Sequence, residues 1–123
     1  MSVTRSADAV VHEMHGFRFA SVATPSRGTR ALAVWTVAAP AGSESPCHTM
    51  SEEEVLVVQA GRVVAHVGDE HWELRPGDGV VVPAGEPFQL RNPYDEDAAL
   101  LACTSAGMRA TVGDTVLTPP WGE

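Results

Sequence analysis

Short runs in which apolar residues alternate with polar ones fill most of this 123-residue chain, and nearly every run stops at a glycine or proline. Alternation puts successive side chains on opposite faces, which is the signature of half-buried strands. No stretch carries the period of about 3.6 residues that an amphipathic helix needs. Phe17 to Ala23 and Ala31 to Ala38 read as strands around the turn Pro25-Ser26-Arg27-Gly28. Glu54 to Ala60 is followed, after Gly61, by its antiparallel return Arg62 to Val67, and Gly68-Asp69-Glu70 forms the next turn. His71 to Leu74, Gly79 to Val82, Pro87 to Arg91 and Ala98 to Thr104 complete the series. Arg75-Pro76-Gly77-Asp78 and the stretch from Asn92 to Asp97 are loops. So many short strands in one short chain predict a single all-β domain, a sandwich or barrel.

Charge narrows the partners. The net charge is −8, and all eight basic residues are arginines scattered from Arg5 to Arg109. Nucleic acid, whose phosphates need clustered cations, is therefore not an expected partner. The chain has no lysine, which excludes a Schiff base or a lysine general base. No run approaches the roughly eighteen apolar residues of a membrane span, and Met1 to Val10 lacks the apolar core of a signal peptide. Cys47 and Cys103 have no CxxC spacing and read as free thiols. The expectation is a cytoplasmic protein. The absence of lysine and isoleucine, beside plentiful Ala, Val, Gly and Arg, suggests a bacterial source of high GC content.

Two spaced patterns carry more. From Gly42 the chain runs five residues to His48, skips Thr49 to Met50, then runs three residues to Glu54 and six to Gly61. From Gly77 it runs five residues to Pro83-Ala84-Gly85, two to Phe88 and three to Asn92. Fifteen residues separate the two patterns. This arrangement resembles the two motifs of the cupin superfamily, in which a metal is usually held by three histidines and a glutamate. Met50 and Phe88 stand where two of those histidines would be. The resemblance implies a double-stranded β-helix, or jelly-roll barrel, in a single cupin domain. Residues 17–112 would form the barrel, 1–16 an N-terminal arm or edge strand, and 113–123 a C-terminal tail. Trp121 would fold over the barrel, meet a partner subunit or stay loose. In many cupins an N-terminal strand pairs with a second subunit, so a homodimer is expected, with Val10, Val11, Phe17 and Phe19 on the edge strand.

If the usual cupin parity holds, His48, Met50 and Glu54 share the inward face with Val63, Trp72, Phe88 and Leu90. That describes a mostly apolar, small-molecule cavity in which one imidazole and one carboxyl converge. Only His48 and Glu54 are good metal donors, and a catalytic transition-metal site typically has at least three protein ligands. A divalent metal would need a donor from outside the pattern, such as Cys103, Gln89 or Glu86. The preferred reading has no cofactor. A carboxyl beside an imidazole in an apolar cavity can have both protonation equilibria shifted, so His48 and Glu54 are the candidate catalytic residues. Met50, Val63, Trp72, Phe88, Leu90 and Cys103 are the candidate substrate-binding residues. The two polar groups could instead simply hydrogen-bond each other. His12-Glu13-Met14-His15 is one residue short of a zincin helix and reads as a surface strand or loop.

The resulting expectation is a small cupin enzyme performing metal-independent acid–base chemistry on an apolar or aromatic molecule. Isomerase, cyclase or dehydratase types, as in secondary metabolism, fit it. The alternatives are a metal-dependent cupin dioxygenase or relative using His48, Glu54 and an extra donor, and a non-catalytic ligand-binding module.

Overall fold

The computed structural model describes residues 1–123. Twelve strands carry the fold: β1 Val11–Met14, β2 Phe17–Ala23, β3 Leu32–Ala39, β4 Thr49–Met50, β5 Glu54–Ala60 and β6 Val63–Val67, then β7 Glu70–Leu74, β8 Gly79–Val82, β9 Phe88–Arg91, β10 Ala98–Ser105, β11 Ala110–Val112 and β12 Thr115–Leu117. Three short 3₁₀ turns are the only helical elements. A six-stranded sheet runs β1-β2-β3-β10-β5-β8, and two three-stranded sheets run β12-β11-β4 and β7-β6-β9. Every pairing is antiparallel. This is the jelly-roll barrel that the resemblance implies.

Alternation decides what lies inside. On β3 the buried residues are Ala33, Trp35, Val37 and Ala39, and on β10 they are Ala98, Leu100, Ala102 and Thr104. These inward faces and those of β5, β6 and β9 form one apolar cluster of 21 residues. At about 25 cal/mol per Å² of apolar surface removed from water, such a cluster is the main source of stability. Asn92, fully buried, ties its margin together. Its Nδ2 donates to the carbonyls of Ala39 (2.9 Å) and Glu96 (2.8 Å), and its Oδ1 accepts from Tyr94 N (3.1 Å).

The edge strand expected within residues 1–16 is present as β1, while residues 113–123, expected as a tail, add strand β12 and a terminal turn. Residues 11–14 form the edge strand β1, joined to β2 by the two-residue turn His15-Gly16, with φ of 53° and 82°. Positive φ at both positions is the turn geometry that matches strand twist. Val10 and Val11 are half exposed at the free edge of the sheet, whereas Phe17 and Phe19, expected on the edge strand with them, lie on β2 one strand further in. Residues 113–123 complete the β11–β12 hairpin and fold back over the barrel. The Ser21 hydroxyl donates to Trp121 O (2.7 Å), and the Trp121 ring stacks on Phe19 at 3.8 Å and 8°.

Gly61 and Gly77 separate two reasons for a glycine. Both have positive φ, 71° and 92°. A Cβ on Gly77 would meet nothing, whereas one on Gly61 would sit 2.8 Å from Ala98 Cα and against the Asp97 carbonyl. Gly77→Ala should therefore cost only the left-handed backbone penalty, about 1 kcal/mol. Gly61→Ala should cost on the order of 3 kcal/mol, because backbone must move. Urea denaturation of both variants checks this, and equal losses would contradict the close approach of β10 to Gly61.

Candidate active site

The barrel encloses a void between the six-stranded sheet and the two smaller sheets. Its free volume is about 100 Å³, and fourteen of its twenty lining residues are apolar. A mostly apolar cavity with a few convergent polar groups is the usual form of a small-molecule site. Five of the chain's seven aromatic side chains line it: all three phenylalanines, Trp35 and Trp121. The polar exceptions that matter chemically are Glu54, His48, His15 and Ser45.

Strand pairing positions each of them. Glu54 opens β5 between Thr104 of β10 and Val82 of β8, and the inward parity it shares with Leu56 and Val58 turns its side chain into the barrel. His48 forms an isolated bridge with Phe88, with His48 N–Phe88 O at 2.9 Å and Phe88 N–His48 O at 2.7 Å. The bridge brings the first spaced pattern against the second. The two rings meet edge to face at 5.4 Å and 65°. Met50 is held the same way, through Gly85 N to Met50 O at 2.8 Å.

Glu54 is 6% exposed, and its carboxyl has no hydrogen bond or ion pair with the protein. Burial disfavours its charged form and pushes its pKa up from 4.5 to about 7. For His48, burial lowers the pKa; a backbone hydrogen bond to Pro46 opposes that, and the charge of His15 lowers it further. The contact is His48 Nδ1 to Pro46 O at 2.9 Å. A carbonyl can only accept, so Nδ1 carries the hydrogen, and Nε2 of the neutral ring is left as an acceptor. No His48–Glu54 hydrogen bond exists, so the reading of a mutually satisfied pair is corrected. Each group stands without a protein partner for its reactive atom.

Of the other expected wall residues, Met50, Phe88 and Leu90 line the void. Three do not. Val63 is fully buried but belongs to the solid part of the core, opposite Leu74. Trp72 is 42% exposed, because β7 is an edge strand with nothing beyond it to cover the ring; it borders a shallow outer groove with Gly79 and Val81. Cys103 has the parity opposite to Ala102 and Thr104, so it lies on the outer face between Val34 and Val55. It cannot serve the cavity as a third donor. Met14 and His15, which read as surface, reach the cavity because the tight β1–β2 turn carries them to its mouth. Trp121 reaches it by the fold-back of the C-terminus, one of the three placements expected for it. Trp35 and Val37 were readable from the alternation of β3.

These donors do not fit the metal that the family's four-ligand arrangement implies. No three His, Cys, Asp or Glu side chains gather where they could hold an ion. Met50 offers a soft thioether and Phe88 no donor at all.

Comparison with known proteins agrees with this fold. A family model described as "Cupin domain" matches residues 34–104, more than half of the chain. The protein belongs to the cupin family. No curated protein matches it by sequence. Among solved structures, a polyketide cyclase, RemF from Streptomyces resistomycificus, is similar at TM-score 0.80 and 14% identity, covering 97% of this chain and 85% of that one. A sugar phosphate isomerase of the cupin superfamily from Silicibacter pomeroyi is similar at TM-score 0.66 and 23% identity, covering 79% of this chain and 66% of that one. An RmlC-like cupin from Shewanella frigidimarina has TM-score 0.74 and 16% identity, covering 85% and 90%. Ten of the twenty cavity residues, among them His15, Phe19 and Trp121, lie outside the family-matched segment. No helix is long and apolar enough to cross a membrane.

The Glu54 shift has a stability consequence. The carboxyl binds its proton more tightly folded than unfolded, so stability is full below about pH 4.5 and falls as pH rises towards 7. Glu54→Gln removes that loss. The variant should be more stable than the parent at about pH 8, by on the order of 3 kcal/mol, and the advantage should vanish near pH 4.5. Urea denaturation at both pH values reads it, and a variant no more stable at the higher pH would contradict an isolated buried carboxyl.

Proposed function

We propose that this cupin is an enzyme of isomerase, cyclase or dehydratase type, acting on an apolar, aromatic small molecule by proton transfer without a metal. The observation that carries the reading is geometric: a buried carboxyl with no protein partner and an imidazole fixed at Nδ1 by Pro46 line the same apolar cavity. Imidazole is ordinarily the stronger base of the two. Here burial lowers His48 below its ordinary 6.5 and raises Glu54 to about 7, so between those values the imidazole is mostly free base while the carboxyl mostly keeps its proton. That is the pairing a general base and a general acid need.

The simplest step such a pair performs is enolisation. Nε2 of His48 takes a proton from the carbon next to a carbonyl group, breaking the C–H bond. Glu54 gives its proton to the carbonyl oxygen, and an enol results. The reverse returns a proton to carbon, either to the original atom or to another. Fixed at Nδ1 by Pro46, the imidazole keeps one tautomer. The apolar walls exclude water, which strengthens both interactions. The resemblance in fold to a polyketide cyclase and to a sugar phosphate isomerase agrees with chemistry of this type. An aromatic lining suits the apolar kind of substrate, since sugar phosphates need charged donors and no arginine lines the void.

The test needs no native substrate. Exchange of the carbon-bound protons of β-tetralone in heavy water, followed by NMR, requires one base and one acid in an apolar pocket. The protein should accelerate it along a bell-shaped pH profile, with the alkaline limb near 7. His48→Ala and Glu54→Gln should each slow it by about a hundredfold, and a chelator should change nothing. Exchange lost on chelation would favour a metal enzyme, and binding without exchange a ligand-binding module; either result overturns the proposal.

A further inference from the structure

The cavity's polar inventory specifies more than a reaction type. Its two unpartnered reactive groups face a void walled by most of the chain's aromatic rings. His48 Nε2 offers a lone pair and no hydrogen, because the ring's hydrogen is committed to Pro46 O. The carboxyl of Glu54, inside an apolar wall with no cation or donor beside it, is the neutral acid that such a setting favours, and it offers a hydrogen. Ser45 Oγ accepts from Leu90 N at 2.9 Å, which leaves its hydroxyl hydrogen as a further donor. The two reactive groups themselves present one acceptor, His48 Nε2, and one acidic hydrogen, on Glu54.

Few ligand groups answer both at once. A carbonyl or ether oxygen would satisfy Glu54 and leave Nε2 without a partner. A carboxylate or phosphate would meet no arginine or lysine in the cavity lining. A hydroxyl group gives one hydrogen and accepts another, so it satisfies both. The walls select the rest of the molecule. Trp121 and Phe19 stack on each other at 3.8 Å, so each has at most one ring face left for a guest, and Phe88 meets His48 edge-on. A largely aromatic lining that holds one acceptor and one acidic hydrogen describes an aromatic guest with one hydroxyl.

We propose that the cavity binds a hydroxylated aromatic molecule, a phenol or the related enol, whose hydroxyl donates to His48 Nε2 and accepts from the Glu54 carboxyl. The inference rests on the protonation states used in the proposed function and adds the ligand class. An enol formed by the enolisation step has the same hydroxyl on a trigonal carbon, so a phenol would also act as a stable mimic of that intermediate.

The test compares β-naphthol, its methyl ether and naphthalene by calorimetry or by quenching of tryptophan fluorescence, at about pH 6 and about pH 8. β-Naphthol should bind at least about tenfold more tightly than the ether at the lower pH. The preference should shrink at the higher pH, where Glu54 loses its proton. It should disappear in His48→Ala, with naphthalene binding retained as the sign that the cavity is intact. Should that variant fail to fold, Glu54→Gln serves, since its amide still donates but no longer titrates: there the naphthol preference should persist at both pH values. Equal binding of naphthol and ether by the parent, a preference unchanged in His48→Ala, or no binding of any of the three would overturn the ligand class. Tetralone exchange that survives a missing hydroxyl preference would leave the catalytic reading standing alone. A preserved preference without exchange would do the reverse.

Discussion

Burying an ionised carboxylate with no cation or hydrogen-bond donor costs several kcal/mol, and Glu54 escapes that cost by staying protonated up to about pH 7. Every chemical property of the cavity follows from this isolation. A metal or an arginine beside Glu54 would hold it ionised and convert it from a donor into an acceptor. His48, held at Nδ1 by the Pro46 carbonyl, complements it as a neutral base. The order of the two proton affinities belongs to the packing around them rather than to the residue types.

The barrel keeps that packing in place by joining distant segments directly. The His48–Phe88 bridge binds the first spaced pattern to the second through two backbone hydrogen bonds, so the imidazole and the ring that edges it cannot drift apart independently. Asn92 anchors the other end of the same strand to β3. The family-matched segment therefore supplies the reactive groups, and the chain's ends supply much of the wall. His15 arrives on a two-residue hairpin turn, and Trp121 on a C-terminal turn fastened to Ser21. In this architecture much of the cavity's shape is set by residues that a reading confined to the two motifs would overlook.

Much of the architecture was legible in the sequence, for identifiable reasons. Phe17–Ala23, Glu54–Ala60 and Gly79–Val82 were readable to the residue, because alternation bounded by glycine and proline leaves little freedom. The spacing from Gly42 to Asn92 placed His48, Met50, Glu54, Phe88 and Leu90 around one void, where all five stand. The failures have a common cause. Parity says which face a residue takes and nothing about what covers that face, so Trp72 on the edge strand β7 was misread as a wall. The two residues of β4 are too few to carry a period, and the stacking of Trp121 on Phe19 joins residues a hundred positions apart. The relation between His48 and Glu54 was also beyond reach: proximity in a motif does not reveal that each lacks a partner.

Isolation of the Glu54 carboxyl is most directly tested by carbon-detected NMR titration of its side chain, with the resonance assigned by its loss in Glu54→Gln. The account predicts a midpoint near 7. A midpoint near 4.5, the ordinary value, would mean that solvent, a cation or a donor reaches the carboxyl, and the acid–base reading of this cavity would fall with it.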